Sequence, residues 1–443
     1  MRKAKIYYAR IDELWRKEEK LAYLEKLQHT GDVEWQEIKP DKNHNWLTEG
    51  LEDEFEHFIA IGNREAKSAA IQNQKVVFKL FSLGVSTNRD VWVTNYSIKI
   101  LESNIKNTIT NYNEQVIKLK NSETSVVNVD EFITYDDGKI SWSSTLKNHL
   151  KRGTLNKYDL TRIRYCLYRP FCKQYLYFDK ILNDRRGQFP VILPTPETEE
   201  ENKVIWLKVG SEIPFFPLVV NRIPDLLPQG GSQCFPFYTY DEDGTNRREN
   251  ITDWALEEYR NHYQDTTITK WDIFYYTYSV LHHPDYRERY AANLKRELPR
   301  IPFAPEFHPF AIAGKQLAEI HINYEKQPEY RLKHLENKDL PIDWRVEKMR
   351  LSKDKTQIKY NDFLTLTGIP PEAFTYRLGN RSALDWIIDQ YQVTTDKRSG
   401  ITNDPNRLDD EEYIVRLIKQ VVTVSLETMK IVKSLPDLGL PKE

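Results

Sequence analysis

Cysteine is scarce in this 443-residue chain: only Cys166, Cys172 and Cys234 occur, none in a C-x-x-C pair. That excludes a thiolate zinc site of the usual spacing and argues against a disulfide framework. No apolar run reaches the roughly 18 residues that a membrane span needs. The opening segment MRKAKIYYARIDELWRKEEK turns charged at once, unlike a signal peptide. No membrane association is expected, and the cytoplasm is the expected compartment. A bulk charge surplus is missing too, since 64 Lys+Arg stand against 66 Asp+Glu for a net −2. Repeats of fixed period and low-complexity tracts are absent.

The signatures of catalysis are also lacking. No glycine-rich phosphate cradle precedes a Lys-Ser/Thr pair; the nearest string, Ala313-Gly314-Lys315-Gln316, lacks the preceding glycine. There is no Asn-Pro-Pro-aromatic tetrad and no glycine-rich strand–turn for S-adenosylmethionine. One string, Asp32 with Glu37 and Lys39, resembles the carboxylate–carboxylate–lysine set of metal-dependent nucleases. Its spacing is too short for a strand pair to set the carboxylates together. His282-His283 reads as a helix C-terminal cap rather than a metal pair, because cationic side chains suit that end. No catalytic residue, no metal and no cofactor is expected.

What is present is ordinary globular composition, 40% hydrophobic and 29% charged, with 26 Tyr and 10 Trp. The length predicts two or three domains. Residues 5–11 read as a strand, a charged helix runs to about Gln28, and 33–50 is loop with a short strand. Two strands are predicted within 75–97 around a Gly84–Asp90 turn, and a helix from Asn104 to about Leu119. Residues 132–143 read as a hairpin at Asp137-Gly138. VIWLKV (204–209) and FPLVVN (216–221) are short strands among many prolines. From about 251 the pattern becomes helical. Thr269 and Asp272 form a capping box, helices follow at 285–298 and 311–319, and a hairpin spans 345–360. Ser382–Asp385 opens a helix to Tyr391, and the last helix covers 410–433. The class is α+β: a β-rich region with irregular loops, then a helical bracing region. Divisions fall at about 45, 250 and 340.

The strongest lead is YCLYRPFCKQYLYFDKILNDRR, Tyr165 to Arg186. Between Lys151 and Pro190 stand ten Lys/Arg against three acids. Positive charge beside stackable rings suits a polyanion, and double-stranded DNA is the expected partner. Arg is favoured over Lys because its planar fork grips a phosphate or a guanine edge at two points. The candidates are Arg152, Arg162, Arg164, Arg169, Lys173, Arg185 and Arg186. Asn88 and Arg89, in a turn, and Lys397 and Arg398, in the basic turn Lys397–Gly400, join them. A structural reading stands beside this one. Tyr165, Leu167, Tyr175 and Tyr177 alternate as the buried face of two strands, leaving Arg and Lys on the wet face. Asn88 then only closes its turn, and Asn380 and Arg381 organise a helix N-terminus. The functional reading needs a cationic ridge around the Arg169 bend, open to solvent on a concave side.

Four ordered segments carry a resemblance: GVSTNRDVWVTN (84–95), LYRPFCKQYLYFDK (167–180), YSVLHHPDYRERYAANLKRELPRIPF (278–303) and YRLGNRSALDWIIDQYQVTTDKRSG (376–400). Together they resemble the C-terminal part of type ISP restriction–modification enzymes, and some are shared with single-chain type IIG restriction–methylation enzymes. In that family one polypeptide joins a nuclease, a helicase-like ATPase, a coupler, an adenine-N6 methyltransferase and a target recognition domain. The resemblance implies a recognition module here, with residues 1–45 similar to the tail of the methyltransferase. It further implies a duplex held between methyltransferase and recognition domain and read from the major groove. The catalytic motifs of the family are absent from this chain. The implied partners are therefore DNA and a methyltransferase/ATPase/nuclease portion on the same polypeptide or a separate chain. Two alternatives stand beside this: a residual metal-dependent nuclease using Asp32, Glu37 and Lys39, and a purely protein-docking module, which the near-neutral charge favours.

Overall fold

A computed structural model describes every residue except 1–3, 12–14, 16, 42, 43, 45, 49, 64–73, 123–127, 211–212, 228–230 and 442–443. The chain forms two compact units, Met1–Asp53 and Glu54–Glu443. In the first, strand Ile6–Tyr8 pairs antiparallel with Gln36–Ile38, and helix Lys17–Lys26 lies between them in sequence. None of its described residues is buried.

The second unit is α+β and is organised around one antiparallel sheet. Its strands run in the order Ser82–Leu83, Ser232–Pro236, Val204–Lys208, Phe216–Val220. Side chains leave a strand alternately to its two faces, and here both faces are covered. Val204, Trp206, Leu218, Val220 and Cys234 feed one core, while Ile205, Leu207, Val219 and Phe235 feed the other. This is why VIWLKV and FPLVVN are apolar without alternation.

On one side the helices Lys270–Val280 and Phe307–Ile322 cross closely. A Cβ on Gly314 would lie 1.8 Å from the Tyr275 carbonyl oxygen, so only glycine allows that approach. The first of these helices carries the expected Thr269–Asp272 capping box and is buried from Ile273 to Val280. An all-round apolar helix belongs inside. The second starts four residues earlier than expected, because Pro309 falls in the first turn, where no intrahelical N–H bond is lost. The helix expected over 285–298 splits into Pro284–Arg289 and Ala291–Leu294. Tyr290, packed 5.1 Å from Phe55 in the core, leaves helical geometry between them.

The other core is closed by helix Ile98–Lys120, helix Tyr413–Lys433 and two further sheets. One of these, Lys333–Glu336, Leu364–Thr367, Gln357–Lys359 and Arg350–Leu351, contains the hairpin expected over 345–360. The hairpin expected over 132–143 does not form. Asn128 caps a helical turn at Val129–Phe132 and Ser143 caps helix Ser144–Lys151, leaving between them a turn at Asp137–Lys139. Divisions at 250 and 340 do not separate compact units. Helix Lys270–Val280 shares its core with strand Val204–Lys208, and helix Tyr413–Lys433 places Leu417 in one core and Val432 in the other.

Candidate nucleic-acid interface

The aromatic–basic run forms the expected strand pair, Ile163–Arg169 against Cys172–Tyr177, within the order Ile223–Pro224, Ile163–Arg169, Cys172–Tyr177, Thr94–Asn95. The pairing slips between Leu167 and Arg169, and Phe171 takes φ +57° in the bend. The faces are reversed from expectation at the start of the first strand. Tyr165 is exposed and stacks on Tyr175 with ring centres 4.5 Å apart, whereas Arg164 points inward and is buried.

Arg164 Nε donates to Glu199 Oε1 at 3.0 Å, and its two terminal nitrogens donate to the Pro194 and Leu193 carbonyls at 3.0 and 3.1 Å. Both side chains of the Arg164–Glu199 pair are 5% exposed. Burial pushes the Glu199 carboxyl up to about 7, against the pull of Arg164 and Arg222. Arg169 pairs with Asp225 at 2.7 Å and lies 3.9 Å over the Tyr168 ring. Lys173 pairs with Glu325 and Arg162 with the fully buried Asp179. Three charges of the local surplus are thus cancelled by carboxylates from elsewhere in the fold, Glu199, Asp225 and Glu325. Among the described residues no solvent-open cationic ridge surrounds Arg169. Arg164 is internal, and Arg162, Arg169 and Lys173 are committed to carboxylates.

Arg89 is internal as well, 3% exposed, against the expectation that it reaches a ligand. Its Nε donates to the Ser141 carbonyl at 3.1 Å, one terminal nitrogen to the Leu182 carbonyl, and the other to Ser143 Oγ at 2.6 Å. Burial lowers its pKa to about 10.

The remaining candidates face outward. Arg152 is the exposed C-cap residue of helix Ser144–Lys151. Arg185 is exposed, and Arg186 is half-buried, 5.4 Å from the Phe178 ring centre. Lys397 and Arg398 are exposed at the tip of the hairpin Thr394–Thr395/Thr402–Asn403. Its turn is built by Asp396, which accepts from Ser399 N and Oγ at 2.8 Å each and from Arg398 N at 3.1 Å. The Ser399 N–H holds that carboxyl below its usual range. Asn88 is exposed with φ +53°, a conformation Asn tolerates, and donates to Asp184 Oδ2 at 2.8 Å.

Four of the singled-out residues, Asn88 and Arg89 from one turn with Arg169 and Arg398 from two other segments, line one cavity of about 420 Å³. A second, of about 360 Å³, adjoins it along Asp90, Val91 and Asp396 and extends to Asp389, Gln392 and Asn403. The result is a polar cleft in which carboxylates outnumber free cations. Asp90 is fixed by the Thr87 hydroxyl and by Tyr168 OH at 3.0 Å. Burial raises Asp225 to about 6, and the Arg169 pair offsets only part of that shift. Sequence reasoning missed these carboxylates. Asp90 and Asp137 enter the sequence reading only as turn residues, and both lie in the cleft wall.

The other strings resolve differently. Asp32 caps the turn at Thr30–Asp32 with His29, and Glu37 pairs with Lys5 at 3.2 Å. Among the described residues no group of three His, Cys, Asp or Glu could hold a metal. His282 does sit at a helix end, its Nδ1 2.9 Å from the Tyr278 carbonyl, but burial lowers its pKa to about 3, so the cap is neutral rather than cationic. Ser382, not Asn380 or Arg381, caps helix Ala383–Gln390; Arg381 pairs at 2.7 Å with Asp389, in the last turn of that helix.

Residues 76–418 match the family model of the type ISP C-terminal specificity domain. No curated protein matches the chain. Three solved structures are similar over almost its whole length. One is a nuclease-deletion mutant of the type ISP restriction–modification enzyme LlaGI in complex with a DNA substrate mimic: 31% identity, TM-score 0.86, 99% of this chain and 40% of that one. A second is the DrdV–DNA complex: 35% identity, TM-score 0.85, 98% and 43%. The third is the ATP-dependent type ISP enzyme LlaBIII bound to DNA: 30% identity, TM-score 0.85, 99% and 28%. The present chain therefore spans less than half the length of each.

Proposed function

Because this chain belongs to the family of type ISP C-terminal specificity domains, we propose that it recognises a target sequence in double-stranded DNA without a catalytic group of its own. The observation that carries the reading is a polar cleft bordered by outward cations: Arg398 lines it, and Arg185 exchanges backbone hydrogen bonds with Ser86 of its wall. Arg152, Arg186 and Asn88 complete the set that grips the backbone, and phosphate contacts of this kind fix register without reading sequence. In the cleft, Asp90 and Asp137 would accept from the exocyclic amines of cytosine or adenine in the major groove, each good contact discriminating by about 1–3 kcal/mol. Phosphate is disfavoured there, since carboxylates line the walls.

Catalysis belongs in this reading to methyltransferase, ATPase and nuclease portions, on the same polypeptide or on a separate chain. The fraction of LlaGI, DrdV and LlaBIII that the chain spans supports this division of labour. The test is selection from a pool of randomised duplexes by the full chain at moderate salt. A recovered consensus, bound at least tenfold more tightly than a scrambled duplex, supports recognition. Retention of no duplex at low salt points instead to a protein-docking module.

A further inference from the structure

The loop that carries Arg185 and Arg186 has no regular secondary structure, yet it is held at every step. Asp179 anchors its start: the carboxylate accepts from Ile181 N and Leu182 N at 2.8 Å each and from Asn156 Nδ2 at 3.0 Å. Its middle is sewn to the 86–89 segment. Ser86 and Arg185 exchange backbone hydrogen bonds of 2.9 Å in both directions, and Asn88 donates to Asp184. Ser143 Oγ donates to the other Asp184 oxygen at 2.6 Å. At the exit, Gln188 N donates to Ser82 Oγ at 2.8 Å.

Arg89 ties this loop to two neighbouring segments. Its guanidinium reaches the 182 carbonyl of the cationic loop, the 141 carbonyl of the neighbouring turn, and Ser143, which in turn holds Asp184 and caps helix Ser144–Lys151. Among the described residues it makes no ion pair; Asp184 and Asp179 act on it only at longer range. A buried guanidinium served by carbonyls and one hydroxyl is an expensive way to fill space. Its planar fork supplies what a lysine cannot, donors in fixed directions to three separate segments at once.

We propose that Arg89 is a positioning residue that sets the orientation of the 182–187 loop, so that Arg185 is presented to phosphate while Arg89 itself never touches DNA. This rests on the DNA reading given above. Arg89, Ser143, Asp184 and Asn88 then form one clamp, and loosening any member releases the same loop.

The experiment uses the full chain with Arg89→Lys, Arg185→Ala, the double variant, and Asp184→Asn, which loosens the clamp from its exposed side without burying a charge. Two quantities are read. One is affinity for a mixed-sequence duplex; the other, without DNA, is the rate of tryptic cleavage after Arg185 and Arg186. Arg89→Lys and Asp184→Asn should both speed that cleavage and weaken binding on the order of tenfold, the size of one charge-assisted hydrogen bond. Arg185→Ala should then weaken the Arg89→Lys protein far less than it weakens wild type. Full additivity of the two substitutions, with tryptic rates unchanged, overturns the proposal. If Arg185→Ala alone binds like wild type, the phosphate role of this loop fails, and cleavage rates then decide whether Arg89 orients it.

Discussion

Arg164→Met removes a candidate DNA contact that the structure places inside the protein, so it should damage stability and spare DNA binding. The replaced side chain donates to Glu199, to the Leu193 carbonyl and to the Pro194 carbonyl, with 5% exposure on both members of the ion pair. Breaking a buried pair from one side typically costs about 3–5 kcal/mol. Two features move the estimate to about 3. Met keeps the apolar stem volume of Arg, and Arg222 remains 3.3 Å from Glu199 Oε2. Glu199 already lies near 7, so losing Arg164 drives it to take a proton, which caps the cost further. Urea denaturation at neutral pH reads the loss as a lower midpoint. The double variant Arg164→Met/Glu199→Met should recover most of it, since a buried pair exchanged for packed apolar groups is close to neutral. The slope of log K against log salt for a duplex should equal that of wild type. A wild-type urea midpoint, or a slope reduced by one phosphate contact, refutes the reasoning.

Gly314→Ala should fail to fold stably or lose several kcal/mol, because the added Cβ meets the Tyr275 carbonyl oxygen at 1.8 Å; a thermal melt near wild type would contradict the close crossing. Buried His282 and His321 should each withdraw stability as the pH falls, against the opposite contributions of Glu199 and Asp225, whose raised values favour the folded state in acid. His282 and His321 are buried and neutral, their pKa values held down by burial, to about 3 for His282. A depressed folded-state pKa means stability is full above the ordinary histidine value near 6.5 and declines below it, by about 1.4 kcal/mol per pH unit for each group. The neutral His321 ring is hydrogen-bonded on both sides, to Tyr278 OH through Nδ1 and to Thr428 Oγ1 through Nε2 at 2.9 Å. Between pH 6.5 and 5 a His282→Gln protein should lose about 1.4 kcal/mol less per pH unit than wild type; an identical pH dependence of the two would count against the histidine contribution. Asp396→Ala should undo the turn presenting Lys397 and Arg398 at a cost of about 1 kcal/mol, seen as weakened duplex binding with little change in melting temperature.

The sequence disclosed the fold wherever local chemistry decides it. Thr269 with Asp272 and Ser382 with Asp385 announced helix starts, and the alternation after Tyr165 announced a strand pair. It misled where two local signals competed. Residues 132–143 alternate like a hairpin, but the caps at Asn128 and Ser143 prevail. The site was legible in outline, since Asn88, Arg169 and Arg398 do meet at one cleft. Which arginines are free was not legible. Charge counted along the chain ignores partners brought from afar: Glu199 lies 35 residues from Arg164, Asp225 lies 56 from Arg169, and Glu325 lies 152 from Lys173. The reversal of Arg164 and Tyr165 has the same origin, because a buried carboxylate draws the guanidinium inward while the ring stacks outside on Tyr175.

The account depends most on the outward cations of two loops distant in sequence acting together on one duplex. Salt titration of duplex binding by the Arg185→Ala/Arg398→Ala protein addresses this directly. Each lost phosphate contact removes about 0.9 from the magnitude of the slope of log K against log salt. The expected decrease is about 1.8, with no change in melting temperature. A slope indistinguishable from wild type would contradict the account.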